Sequence, residues 1–292
     1  MTTLIDALGH EIEVEHNGAP TARVGELWLT SWDGRPVALI VVAAVRDGYA
    51  LGWPVTAATG HDTYPCVPLP DDGAGQNLTA WPDAEFGLSL ALLDSRVSAP
   101  FDAKTVRLIV GAVRGDTDMP VPAEPDRPSP EADADLDAVA GQAWAVGDVD
   151  WPLATPGHGV LNTDVLAQAG VDARGLAESL RVPAVRASQL AAGHAVPTSD
   201  ELARIGDSVA DVDDLLVAPS GDEVDAIMHP RFKARIVAVA NAEGVTEADA
   251  RTRLYVIAEP MAARHTPGTT ASEAATARVD AALDQMLNPP AP

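Results

Sequence analysis

Apolar positions from Ala22 to Val110 come in short runs separated by turn signals. Leu27 to Thr30, Arg35 to Ala44 and Tyr49 to Thr56 read as strands, with Asp33-Gly34 and Asp47-Gly48 between them. Two consecutive hairpins make a meander. Runs at Cys66 to Leu69 and Leu88 to Leu93 continue the strands, and Asp102 to Val110 reads as a short helix with Val106 and Ile109 on one face. Several short strands with closely spaced turns bury one face by curling. The pattern therefore predicts a small, partly closed barrel that Trp28, Trp32 and Trp53 fill or rim.

Beyond residue 150 the period lengthens to that of helices. Thr163 to Ala169 forms a first, weak one, and Leu176, Ala177 and Leu180 line one side of the next, which Val182-Pro183 ends. Proline suits a first helical position, so a further helix runs from Pro183 to Ala192, with Val185 and Leu190 inward and Arg186, Ser188 and Gln189 outward. Gly193 closes it in the left-handed conformation, and Thr198-Ser-Asp-Glu201 has the spacing of a capping box that opens another helix. After Asp225, Phe232, Ile236, Val239 and Ala240 recur at helical spacing, which spreads Arg231, Lys233 and Arg235 around the exposed side. Thr246 to Asp249 caps a helix through Arg253 to Ala263, and Val279 to Met286 is a short amphipathic piece. Between the halves, residues 116–136 are rich in proline and acid and without aromatic groups, the composition of an extended, solvated linker. Leu136 to Trp144 starts a helix.

The punctuation of residues 172–205 resembles the XRE, or lambda-repressor-like, helix-turn-helix family over roughly Val160 to Val209. Leu176-Ala177, Gly193, Pro197 and Glu201-Leu202 match its LAxxL helix, its glycine-ended recognition helix and its PxxxEL helix. The resemblance implies that Ala184 to Leu190 enters a major groove, with Arg186, Ser188 and Gln189 nearest the base edges and Arg181 and His194 completing the DNA-facing set. It also implies a homodimer on paired half-sites, because one such helix makes too few contacts for tight specific binding.

The first third resembles the MazF/PemK family of toxin ribonucleases. Gly25-Glu26-Leu27-Trp28, Arg35-Pro36-Val37-Ala38-Leu39 and Pro54-Val55-Thr56 match its first three strands in order and spacing, and Gly87-Leu88-Ser89 with Leu92 to Val97 and Phe101-Asp102 resembles its later ones. An SH3-like barrel follows from that resemblance, with Arg35 and Thr56 in the positions of the metal-independent catalytic pair. There an arginine holds the scissile phosphate of single-stranded RNA and a hydroxyl positions the same oxygens. The loop between the first two strands is reduced to Ser31-Trp32-Asp33-Gly34, and Asp33 stands two positions from Arg35, so the phosphate site has lost attraction. Ordinary readings of the same residues are an edge arginine paired with Asp33 or Glu26 and a strand-end hydroxyl. His61-Asp62 near Tyr64 offers a base beside Thr56.

Charge changes the picture. The 292-residue chain carries a formal charge of −24, a field that repels phosphate at long range. Its distribution is uneven: residues 151–195 sum to zero, residues 116–150 to −9 and residues 196–225 to −8. Nucleic-acid binding would have to be local to the neutral stretch. The single cysteine, Cys66, excludes an internal disulfide and a cysteine zinc cluster, and no histidine pair has metal-like spacing, so neither metal nor cofactor is expected. No secretion signal or membrane span is read, which points to the cytoplasm.

The sequence thus reads as α+β in two domains: a small SH3-like β-barrel (1–115), an acidic linker (116–150), an all-α helix-turn-helix bundle (151–215) and a C-terminal helical segment (216–292). Three functions fit it. One is a regulator that binds double-stranded DNA and keeps a degenerate toxin-like barrel; another is an endoribonuclease toxin fused to a DNA-binding or antitoxin-like part. The third is an interaction module that binds no nucleic acid.

Overall fold

The computed structural model of the protein describes residues 21–57, 66–70, 78–116, 130–147, 149, 151–206, 214–259 and 270–288. The expected base at His61, the proline-rich stretch 117–129 and the end of the helix expected to reach Ala263 lie outside them. The chain divides into two compact units. The first comprises residues 1–150 with His229–Ala234, and the second Trp151–Met228 with Arg235–Pro292.

The first unit is built on antiparallel strands β1 (Leu27–Trp32), β2 (Arg35–Val45) and β3 (Tyr49–Ala57), extended by β4 (Val67–Pro68), β5 (Leu78–Ala80), β6 (Phe86–Ser89) and β7 (Leu93–Ser98). The order is β4-β5-β3-β2-β1-β7, with β6 also paired to β3, an open path rather than a closed barrel among the described residues. Both expected hairpins form. Asp33 and Gly34 both take positive φ, the twist-matched two-residue turn that Asp-Gly favours. The later strands divide differently from the run Leu88 to Leu93, because Leu90–Leu92 turns as a 3-10 helix between β6 and β7.

The sheet is buried on two faces, not on one. Leu39 and Val41 of β2 pack with Leu27, Trp53 and Val55 under helix α1 (Ala103–Val113), which supplies Val106 and Ile109. The alternating Ala38, Ile40 and Val42 pack with Trp28, Ala50, Leu92 and Leu93 on the other side. A strand covered on both faces needs a continuous apolar run, which is what Val37-Ala-Leu-Ile-Val-Val-Ala-Ala-Val45 provides. The second face is closed by helix α2 (Pro130–Gly147), whose Val146 joins that core and whose Val139 packs with Cys66 and Trp81. The helix expected to start at Leu136 thus begins earlier, at Pro130, within the stretch expected to be extended, and its small and apolar residues find a surface that composition alone does not reveal. Gly25, at φ +90°, marks the closest approach: a Cβ there would stand 2.1 Å from the carbonyl oxygen of Phe101.

In the second unit, a two-stranded ladder of β8 (Val160–Leu161) and β9 (Leu216–Val217) frames four short helices, α3 (Thr163–Gln168), α4 (Ala173–Leu180), α5 (Ala184–Ala191) and α6 (Ser199–Gly206). Leu161, Leu166, Leu176, Leu180, Ala187, Leu190 and Ile205 form their common core. Helices α7 (Asp222–Met228), α9 (Glu247–Ala258) and α10 (Ala271–Leu287) follow, with α8 (Lys233–Glu243) belonging to this unit from Arg235 onward. No helix among the described residues is long and apolar enough to cross a membrane.

Candidate functional site

The expected reading segment lies between two left-handed backbone positions. Helix α4 is opened by the Asp172 side chain accepting from the Gly175 amide at 2.8 Å, and it ends at Leu180. Arg181 takes φ 57° and ψ 42°, a conformation uncommon for a residue with a side chain, so the chain turns one residue before Val182-Pro183. Arg204 donates to the carbonyl oxygen of Leu180 at 2.9 Å, satisfying one of the acceptors a helix end leaves open. Pro183 then precedes α5, and Gly193 at φ +69° closes it against the Leu161 carbonyl, leaving 3.3 Å for any Cβ. The expected capping box forms: the Thr198 amide donates to Glu201 at 2.7 Å, and the Glu201 amide donates to the Thr198 hydroxyl at 3.2 Å.

Within α5 the side chains sort differently from the expectation in two respects. Val185 does not face inward; it is 71% exposed. Five residues of helix separate it from Leu190 by about 140°, so the two cannot share a core, and Ala187 takes the inward place. Arg186, expected outward at the base edges, is turned onto its own fold. Its Nε and Nη2 donate to the two carboxylate oxygens of Glu201 at 3.1 and 2.7 Å, and Nη2 also donates to the Val196 carbonyl at 2.8 Å. Glu201 is buried, which by itself raises its pKa, but the Arg186 guanidinium and the Thr198 amide outweigh that and hold it below the usual carboxylate range. Arg186 is thus a strut between α5 and the start of α6.

The outer face that remains consists of Arg181, Ala184, Val185, Ser188 and Ala192, with Gln189 half-buried at its edge. His194 is exposed next to it, and its Nδ1 lies 3.3 Å from Glu259. Burial pushes the Glu259 carboxyl up, with His194 opposing and Glu223 adding to the rise. A sequence signal for the Arg186 strut was present in the Glu at the third position of the capping box. The contact itself depends on α5 and α6 meeting there.

The other expected pair is not assembled. Arg35 is exposed at the start of β2, opposite Trp32. Thr56 stands one step beyond Val55, whose partner is Leu39, so Arg35 lies about three residues, roughly 10 Å, along β2 from the point facing Thr56. The Thr56 hydroxyl accepts from the Trp81 indole at 2.9 Å. Glu26, one of the acids considered as a partner for Arg35, is buried and takes donors from the Arg23 amide, the Trp28 indole and Arg96.

The basic cluster after residue 229 is also redirected. Lys233, expected on an exposed side, is 1% exposed; its ammonium donates to the carbonyls of Ser31 at 2.7 Å and Ala91 at 3.0 Å and lies 5.2 Å from the Trp32 ring centre. Arg235 pairs with Asp280 and Asp284, while Arg231 stays exposed beside Phe232. The apolar positions Phe232, Ile236 and Val239 are buried as expected, but the helical spacing could not say which surfaces cover the intervening cations. No protein-family model matches the chain, and no curated protein matches it.

Proposed function

We propose that the protein is a DNA-binding regulator in which residues 160–209, as the likeness to XRE-type domains suggests, lay the outer face of α5 in the major groove of duplex DNA. The observation that carries this reading is a short helix set between two left-handed turns. Its inner side is fixed by Ala187, Leu190 and the Arg186–Glu201 strut, and its outer side stands open at Val185 and Ser188. In this reading Arg181 holds a phosphate, Val185 packs on a thymine methyl, and Ser188 and Gln189 meet base edges, while Arg186 sets the angle of the helix rather than touching DNA. A second copy reads a second half-site, since one face this small gives little affinity. The first unit, degenerate relative to the MazF/PemK-like barrel it resembles, serves as a platform for a partner. The nuclease alternative has less support, because Arg35 and Thr56 are about three residues out of step.

The test is a gel shift of the full chain against genomic fragments. Val185→Glu should abolish binding, and Arg181→Ala should weaken it about tenfold and lower the salt slope by about one phosphate contact. If both variants shift DNA as the parent does, or the parent shifts none, the reading fails. Incubation with single-stranded RNA should leave the RNA intact; cleavage abolished by Arg35→Ala would restore the nuclease.

A further inference from the structure

Within the second unit an open groove of about 560 Å³ lies between the chain at Val196–Ser199 and helices α9 and α10, a size typical of small-molecule sites. Its walls are hydrocarbon: Val196, Pro197, Val256, Ile257 and Met286. Val256 is 41% exposed, an apolar side chain that the unit itself covers only in part. The charged side chains on the lining, Glu243 and Arg253, are paired with each other, so the groove presents no unopposed charge to a ligand. The polar features that remain are hydroxyls. Thr198 accepts from the Glu201 amide and Thr252 accepts from the Trp151 indole, which leaves each hydroxyl proton free to donate, and Ser199 is exposed beside them.

We propose that this groove binds an uncharged, largely apolar small molecule carrying a hydrogen-bond acceptor such as a carbonyl or hydroxyl oxygen. An ionised ligand would lose water and find no free counter-charge, whereas a hydrocarbon body with one acceptor meets both the walls and the hydroxyls. The site is wired to α5. Val196, which lines it, gives its carbonyl to Arg186, and Thr198 gives its amide to the same Glu201 that holds Arg186. A ligand against Val196–Ser199 therefore bears directly on the strut that sets the helix angle. As a control over DNA binding this rests on the function proposed above; as a binding site it does not.

The test uses the full chain and N-phenyl-1-naphthylamine, an uncharged apolar fluorophore. Saturable binding of one probe per chain is expected, weakened about tenfold or more by Val256→Glu, which sets a carboxylate in the hydrocarbon wall, and by Ser199→Trp, which fills the groove from an exposed position. Unchanged thermal midpoints establish that the variants fold, and Ser199→Trp stands if Val256→Glu does not. Probe binding should also slow amide exchange at residues 196–199 and in α5. Non-saturable binding, or equal binding by both variants, overturns the site; unchanged exchange overturns its link to α5. A chain that binds the probe but no duplex refutes the DNA reading and leaves the groove intact.

Discussion

The two units reach stability by different chemistry. In the first, large aromatic groups and a strand apolar on both faces do most of the work: Trp28 and Trp53 are completely buried in separate cores on opposite sides of the sheet. In the second, the core of the short helices is leucine, isoleucine and alanine, with Trp151 and Tyr255 as its buried aromatics elsewhere. Arginines add ties: the partly buried pairs Arg186–Glu201 and Arg278–Glu223 link helices, while Arg251–Glu247, 1% and 0% exposed, pairs within α9 and reaches α7 through the Ile227 carbonyl. Small side chains leave little area per contact, so helices of eight residues depend on such ties. Arginines counted in the sequence are therefore not arginines available to phosphate. Arg186, Arg204, Arg251 and Arg278 all point into their own unit, and Arg181 is left on the candidate face.

The largest effect should come from breaking the most buried of these ties. Arg251 donates twice to Glu247 Oε1, at 3.0 and 2.7 Å, and once to the Ile227 carbonyl at 2.7 Å. Arg251→Met removes the guanidinium from a buried carboxylate and should cost the second unit about 3–5 kcal/mol, whereas Glu247→Leu together with Arg251→Met should recover much of that loss. Denaturant unfolding followed by the far-ultraviolet helical signal measures both. A double variant as damaged as the single one would show that the pair supplies more than charge neutralisation.

A smaller loss is expected in the first unit from Gly25→Ala. The left-handed backbone and the 2.1 Å approach to the Phe101 carbonyl leave no room for a Cβ, and displacing that segment should cost about 2–3 kcal/mol. Five of the six tryptophans lie in this unit, so intrinsic fluorescence isolates its transition. An unchanged fluorescence midpoint would mean that the chain around Phe101 yields without penalty.

The smallest effects are in pH, and they separate the units. Burial, then the neighbouring Arg231 charge, lowers the pKa of His229 in the first unit. A histidine held neutral in the fold contributes stability that is present above its unfolded value of about 6.5 and is lost as pH falls below it. In the second unit Asp249 is lowered chiefly by the Thr246 hydroxyl, and Glu201 is lowered by Arg186 and Thr198 against the opposing effect of burial. Those carboxylates stabilise above their ordinary values near 4 and lose that contribution as pH falls through the lower folded values. Acid titration should thus weaken the fluorescence transition first, below about pH 6.5, and the helical transition only below about pH 4. Parallel loss of both would remove the distinction.

Much of the local structure was written in short-range signals. Asp33-Gly34 fixed its hairpin, Gly193 its helix end, and Thr198 with Glu201 its capping box, because each depends on backbone geometry within four residues. The outward position of Val185 follows from helix geometry, since five residues set it about 140° from Leu190. The fate of Arg186 could not be read the same way, since its partner Val196 and the angle between α5 and α6 are set by packing. The helix Pro130–Gly147 is legible only from Leu136 to Trp144 because proline and acid dominate its start, while its burial depends on Val139 and Val146 meeting Trp81 and the second sheet core.

The sequence by itself determined where the chain turns, where its helices begin and which positions are apolar, because steric limits and hydrogen bonding act between near neighbours. Tertiary structure alone decided which charges remain outside. An arginine or lysine has a long side chain that can reach water, a carboxylate or a carbonyl, and the choice depends on what distant residues place within its reach, as the Ser31 and Ala91 carbonyls do for Lys233 and Glu201 does for Arg186.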